Sequence, residues 1–224
     1  MACRFPGGIN TNDKFWRMLI ANECKIGRPP VGRWEDIEES LKNSSYLEKS
    51  GFLLENIEAF DCKTFRLTPK EASKMDPQQK LLLKVCWEAF ENSGYAPDSL
   101  REKKIGVYVG VTNSDYANKL IKERNEKKEY DPLDSMGTNF SFLSGRVSYF
   151  FGLQGPSVAI DTACSSSLVA VSQACDALDN GKCEMAIASG VNVMYLPETT
   201  HILSKLNILS PNCEVRTFDE KANG

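Results

Sequence analysis

Ser157-Val158-Ala159-Ile160-Asp161-Thr162-Ala163-Cys164-Ser165-Ser166-Ser167-Leu168 runs from a short apolar segment into a cluster of small polar residues. Ser157 to Asp161 predicts a short strand. From Cys164 to about Asn180, the residues Leu168, Val171, Cys175 and Leu178 recur at helical spacing. They predict a helix with that stripe turned inward, stopped by Gly181. A strand passing sharply into a helix projects a side chain from the end of a sheet. A cysteine placed there gains from unpaired amide hydrogens and from the helix dipole, both of which favour the thiolate. The same amides can donate to an oxyanion formed when the thiolate attacks a thioester. Two readings stay open from these residues alone. Cys164 is a nucleophile, or it is one more buried thiol beside serines that cap a helix. Ser165, Ser166 and Ser167 read as caps and packing, since no histidine lies near them in sequence.

The flanking segments extend the same alternation. Ile105, Val107, Val109 and Val111 interleave with Gly106, Tyr108 and Gly110. This predicts a buried strand whose glycine-rich face lets other backbone approach closely. Glu184 to Gly190 predicts another strand. Helices are expected from about Thr138 to Phe151, from Pro197 onward, and near Thr11-Asn12-Asp13, where Phe15, Trp16, Leu19 and Ile20 keep helical spacing. Thr68-Pro69-Lys70-Glu71 has the form of a capping box with proline at the first helical position, and Asp76-Pro77-Gln78-Gln79 repeats that logic. The second of these helices carries Leu81, Leu82, Val85, Ala89 and Phe90 on one side and ends at Gly94. Residues 25–50, rich in Pro, Gly and charge, are expected to be irregular, and 51–60 to add a short strand or hairpin. The charged run from Lys119 to Asp131 reads as a solvated helix end and loop. Strands alternating with helices imply a layered α/β fold.

Bulk properties exclude several classes. The 224 residues carry a net charge of -3, with 42% hydrophobic and 25% charged residues, ordinary values for a globular chain. Phosphate-backbone binding needs concentrated Lys and Arg, so a general nucleic-acid binder is excluded. No apolar run reaches the roughly 18 residues of a membrane span. The opening Met1-Ala2-Cys3-Arg4-Phe5-Pro6 lacks the apolar centre of a signal peptide, which makes the cytoplasm the expected location. The eight cysteines include no CxxC pair, and the single histidine is His201. They read as reduced thiols, mostly small core residues, with no metal site. A cysteine hydrolase would need a histidine base near Cys164, and only His201 is available.

The string Asp161-Thr162-Ala163-Cys164-Ser165-Ser166-Ser167-Leu168-Val169-Ala170 resembles the active-site signature of polyketide and related β-ketoacyl synthases. Cys3-Arg4-Phe5-Pro6-Gly7-Gly8 is similar to that family's opening, and Met75-Asp76-Pro77-Gln78-Gln79 to its first long helix. Gly145-Arg146-Val147-Ser148-Tyr149 and Gly152-Leu153-Gln154-Gly155-Pro156-Ser157 resemble the approach to the nucleophile. Leu209-Ser210-Pro211 and Phe218-Asp219 resemble the stretch after it. These motifs follow family order across essentially all 224 residues.

The resemblance implies an α/β, thiolase-like layered fold, here incomplete: roughly the first half, without the first core strand. Residues 1–224 are then the truncated N-terminal part of a β-ketoacyl synthase domain from a type I polyketide synthase. Cys164 is implied as the acyl-accepting nucleophile and its amide as an oxyanion donor. In the full domain the acyl chain is condensed with a decarboxylating malonyl-type extender, in polyketide or fatty-acid-like biosynthesis. No cofactor is expected to bind directly, because phosphopantetheine is carried by a partner acyl carrier protein. The other implied partners are further polyketide synthase domains and a second copy, the family being homodimeric.

The family's two decarboxylation histidines lie in His-Gly-Thr-Gly-Thr-like and Asn-x-Gly-His-like motifs, neither of which occurs in these residues. His201 matches neither and reads as a surface or packing residue. Enzymatic competence of the chain by itself therefore stays open. The alternative to an acyltransferase is a truncated, inactive product or a dimerisation or interaction remnant. Two departures from the family pattern stand out: Ser172 where many members have histidine, and Cys213-Glu214-Val215 in place of Gly, a basic residue and Cys. Without a partner half, the Cys164 helix and the strands at 105–111 and 184–190 are expected to expose apolar faces and lower solubility.

Overall fold

A computed structural model describes residues 1–30, 33–34, 56–128 and 130–224. The helices and strands up to the central strand are α1 (Asn12–Ile20), α2 (Pro69–Lys74), α3 (Pro77–Asn92) and β1 (Ile105–Gly110). They continue with α4 (Tyr116–Lys127), α5 (Pro132–Thr138), α6 (Ser141–Phe151), β2 (Ser157–Ile160), α7 (Ser166–Asp179), β3 (Met185–Gly190) and α8 (Glu198–Lys205). The chain divides into two compact units, one of residues 1–2 and 57–193, the other of residues 3–56 and 194–224.

The first unit is built on a parallel sheet in the order β2-β1-β3. Every residue of the central strand β1 is buried. Alternation sorts its side chains between two layers. Ile105, Val107, Val109 and the following Val111 join Leu82, Leu83, Cys86 and Phe90 of α3 and Leu143, Val147 and Phe151 of α6 in one core. Tyr108 faces the other way, with Ala170, Ala174 and Ala177 of α7, Ile160 and Cys183. The sheet is thus covered by α3 and α6 on one face and by α7 on the other, the layering expected of parallel strands.

Local signals explain the helix boundaries. The Thr68 hydroxyl accepts the Glu71 N–H at 3.1 Å, starting α2. The Glu71 carboxylate, the other half of that box, accepts from Arg146 Nη1 at 2.9 Å. Asp76 Oδ1 accepts the Gln78 N–H at 2.8 Å to start α3, with Pro77 in the first turn. Beyond α3, Gly94 takes φ +81°, as expected of a left-handed stop.

Three expectations are corrected. The helix expected from about Thr138 to Phe151 is α6, which starts at Ser141; before it stands a separate, unexpected helix, α5, which Asn139 at ψ 136° ends. The overlooked signal is Asp131-Pro132, where Asp131 Oδ1 accepts the Leu133 N–H at 3.0 Å. The charged run is, as expected, a helix end and loop: it forms the later part of α4, anchored by buried Tyr116 and Leu120, and the residues that follow it. Most of the expected irregular stretch at 25–50, and 51–55 of the expected hairpin, lie outside the described residues, and 56–60 contains no strand.

The third correction concerns α7. Leu168, Val171 and Leu178 point outward, Leu168 being 76% exposed, and Cys175 is exposed as well. Ser166, Ala170, Ala174 and Ala177 form the inward stripe. The helix lies too close to the sheet for large side chains. The expected exposure of apolar faces therefore holds for α7 and in part for β3, but not for β1.

In the second unit α1 starts at Thr11, whose hydroxyl accepts the Lys14 N–H at 3.2 Å. None of the α1 residues is buried. Trp34 Nε1 donates to the Tyr195 carbonyl at 3.1 Å. His201 sits on α8, half-buried, with its Nδ1 buried and lacking a hydrogen-bond partner among the described residues.

Candidate active site

β1, β2 and β3 all present their C-terminal ends at one edge of the sheet. The ladder extends past the strands there, with Val111 N–H donating to Ile160 O at 3.0 Å and Val191 N–H to Gly110 O at 3.0 Å. Cys164 lies at this edge, in a tight 3₁₀ turn of Ala163–Ser165 that links β2 to α7. Its thiol is exposed.

The turn is pinned on both sides of the cysteine. Ser166, 5% exposed, accepts the Thr162 N–H at 2.9 Å and donates to the Ala163 carbonyl at 2.7 Å. Asp161 Oδ1 accepts the Ala163 N–H at 3.0 Å. Ser165 Oγ donates to the Thr162 carbonyl at 2.8 Å. Ala163 itself is left-handed, at φ +54°. That conformation costs an L-residue about 1–2 kcal/mol and persists only where surrounding bonds impose it. With Thr162 and Ala163 amides bonded locally, the Cys164 N–H is left without an acceptor among the described residues. It is available as a donor to a developing oxyanion.

Two glycines in register let α7 start against the sheet. Gly110 of β1 pairs with Gly190 of β3. A Cβ on Gly110 would lie 2.6 Å from Ser167 N and 2.7 Å from Ser166 C. A Cβ on Gly190 would overlap the Ser167 hydroxyl. The expectation of a glycine face accepting close backbone is met at the turn that carries Cys164. The serines expected to cap the helix do not: Ser165, at the N-cap of α7, makes no side-chain cap bond, and the Ser165 and Ser166 hydroxyls instead tie the turn at Thr162 and Ala163.

The remaining thiols differ in setting. Cys3, Cys86 and Cys183 are buried, Cys24 and Cys175 are exposed, and Cys62 and Cys213 are intermediate. The expectation that most are core residues is therefore corrected. Burial pushes the Cys86 thiol up to about 12, which removes it from nucleophilic chemistry. Among the described residues no cluster of His, Cys, Asp and Glu is arranged to hold a metal, and no helix is long and apolar enough to cross a membrane.

A second polar group at this edge escaped the reading of the sequence. Asp76, Gln78 and Gln79 open α3 and are all buried. Arg146 Nε donates to Gln79 Oε1 at 2.8 Å, and Gln79 Nε2 to the Gly137 carbonyl at 2.9 Å. Burial raises the Asp76 carboxyl above its ordinary value, opposed by the hydrogen bonds from Ser114 and Gln78. Two glutamines in the first turn of a helix buried on several sides were the available signal.

The family model for the N-terminal domain of β-ketoacyl synthases matches residues 1–224. A phenolphthiocerol/phthiocerol polyketide synthase of Mycobacterium tuberculosis is 40% identical over 228 residues, covering 100% of this chain and 12% of that protein. The 6-methylsalicylic acid synthase of Aspergillus niger is 39% identical over 228 residues, covering 100% of this chain and 13% of that protein. The chain thus spans about an eighth of the length of these relatives. The ketosynthase from module 6 of the bacillaene synthase of Bacillus subtilis 168 superimposes with a TM-score of 0.82 at 35% identity, over 99% of this chain and 35% of that one. The α/β fold with its parallel sheet is that of thiolase-like ketosynthases. A cysteine turn held at the end of that sheet, a family match over the whole chain and relatives that are polyketide synthases place this protein in the β-ketoacyl synthase family, as ketosynthase N-terminal-domain sequence.

Proposed function

We propose that Cys164 is the acyl-accepting nucleophile of a polyketide synthase ketosynthase domain, of which residues 1–224 form the N-terminal part. The observation that carries this reading is the exposed Cys164 thiol on a turn whose flanking backbone is fixed by Ser166 and Asp161. The thiolate attacks the carbonyl of an acyl thioester, and the Cys164 N–H donates to the oxyanion. Collapse forms the new carbon–sulfur bond, breaks the old one and releases the donor thiol, which takes up the proton that Cys164 gave up. The exchange needs no oxidant or reductant. The donor is phosphopantetheine on an acyl carrier protein. Condensation with a decarboxylating malonyl-type extender then belongs to the full domain, working as a homodimer among other synthase domains in the cytoplasm. Decarboxylation needs positioned groups such as histidines, and the 224 residues hold only His201.

The test is mass spectrometry of the intact protein after incubation with an acyl thioester of N-acetylcysteamine. One acyl group is expected on the peptide containing Cys164, and none in Cys164→Ala. Acylation that persists in Cys164→Ala, on Cys24 or Cys175, overturns the assignment. A second reading, an inactive interaction module, is favoured by the exposed stripe of Leu168, Val171 and Leu178 on α7. It predicts folding and association without any acylation of Cys164.

A further inference from the structure

We propose that Gln78 is a positioning residue for the Cys164 site, its side-chain amide clasping the loop that leaves β1 to the loop that leaves β3. The inference rests on Cys164 being the acyl acceptor. Gln78 is 1% exposed, in the first turn of α3. Its Nε2 donates to the Asn113 carbonyl at 2.6 Å, in the loop after β1, and to Asp76 Oδ2 at 3.2 Å. Its Oε1 accepts the Val193 N–H at 3.2 Å, in the loop after β3. One amide therefore spends its donor side on one loop and its acceptor side on the other, so its orientation is fixed. Ser114 Oγ donates to Asp76 Oδ2 at 2.7 Å, tying the first loop down a second time.

Both loops leave the sheet immediately after Gly110 and Gly190, the residues on which the start of α7 rests. They emerge at the edge that carries Cys164, where an acyl chain joined to its sulfur must run. Holding them at fixed separation gives that chain a preformed wall, and small misplacements in such a wall are costly. Buried polar groups that are fully satisfied are suited to this, because they hold a single arrangement.

The test uses the intact protein with Gln78→Met and Gln78→Glu. In Gln78→Met the small reagent iodoacetamide, which needs no wall, should alkylate Cys164 within about twofold of the wild-type rate, while the octanoyl thioester concentration giving half-maximal acylation rate should rise roughly tenfold or more. In Gln78→Glu a protonated carboxyl can donate to the Asn113 carbonyl and accept the Val193 N–H, which an ionised one cannot. The ratio of variant to wild-type acylation should therefore climb as pH falls toward the carboxylate range. Asp76 and Lys80 are the charged groups beside it, and burial sets that range above the usual value of about 4.3. A ratio flat with pH, together with a wild-type half-maximal thioester concentration in Gln78→Met, overturns the proposal. If Gln78→Met fails to fold, the Gln78→Glu ratio decides. Absence of acylation in the wild type would defeat the functional reading instead, and the clasp would then be judged by amide hydrogen exchange at Val193. Faster exchange in Gln78→Met supports it, and unchanged exchange refutes it.

Discussion

Gly110→Ala should displace the start of α7 and with it the Cys164 turn. The new Cβ would stand 2.6 Å from Ser167 N, 2.7 Å from Ser166 C and 2.8 Å from Ser166 O. To reach ordinary contact near 3.4 Å, the helix start must retreat by about 0.8 Å. The atoms in the way are backbone, so no rotamer change relieves the overlap. Overpacking of this kind costs about 1–3 kcal/mol. Alanine recovers roughly 0.5–1 kcal/mol over glycine in a strand. The net loss is about 1 kcal/mol, which at a urea m-value of about 2 kcal/mol/M lowers the midpoint by about 0.6 M. Gly190→Ala supplies the control, because its Cβ meets the Ser167 side chain, with Cβ at 3.0 Å, rather than backbone. Ser167→Ala should restore most of the midpoint lost in Gly190→Ala and none of that lost in Gly110→Ala. Urea unfolding followed by far-UV circular dichroism measures both, and the alkylation rate of Cys164 reports the turn. An unchanged midpoint in Gly110→Ala, or equal rescue of both variants, would refute the close-approach argument.

Ser166→Ala removes a hydroxyl that both accepts from Thr162 and donates to Ala163, so it should cost about 1–3 kcal/mol and speed amide exchange at Thr162, with unchanged exchange counting against the pinned turn. Alkylation followed by peptide mapping should label Cys164, Cys175 and Cys24 in the native state and spare Cys3, Cys86 and Cys183 until denaturant is added; early labelling of Cys86, whose thiol burial raises to about 12, would contradict the described core. The raised Asp76 carboxyl binds its proton more tightly in the folded state. Its contribution to stability is therefore full below the ordinary carboxylate value of 3.8 and is lost as pH rises through the higher folded value. Urea midpoints for wild type minus Asp76→Asn should fall with rising pH across that window, and a rise would show that the carboxyl is not destabilised by burial.

Much of the fold was legible because its signals are local. The caps at Thr11, Thr68 and Asp76, the stops at Gly94 and Gly181, and the alternation in Ile105–Val111 each depend on a few neighbouring residues. The start of α5 was legible in principle, through Asp131-Pro132, but the charged run before it drew the reading toward a loop. The Cys164 turn was readable because strand, cysteine and small residues are contiguous.

The sequence by itself determined where most strands and helices begin, that they alternate, and that a cysteine stands between β2 and α7. It could not determine which stripe of α7 faces the sheet. Leu168, Val171, Cys175 and Leu178 keep helical spacing, and so do Ser166, Ala170, Ala174 and Ala177. Hydrophobicity favours the first stripe, but the structure buries the second. That choice belongs to Gly110 and Gly190, more than fifty residues upstream and more than ten downstream of α7's first turn. Their missing side chains let the helix approach so closely that only small residues fit beneath it. The bonds from Gln78 to Asn113 and Val193 are of the same kind, spanning 35 and 115 residues. Periodicity is a property of one segment, whereas the face a segment buries is set by the shape of the surface it meets, and that surface exists only once distant strands have paired.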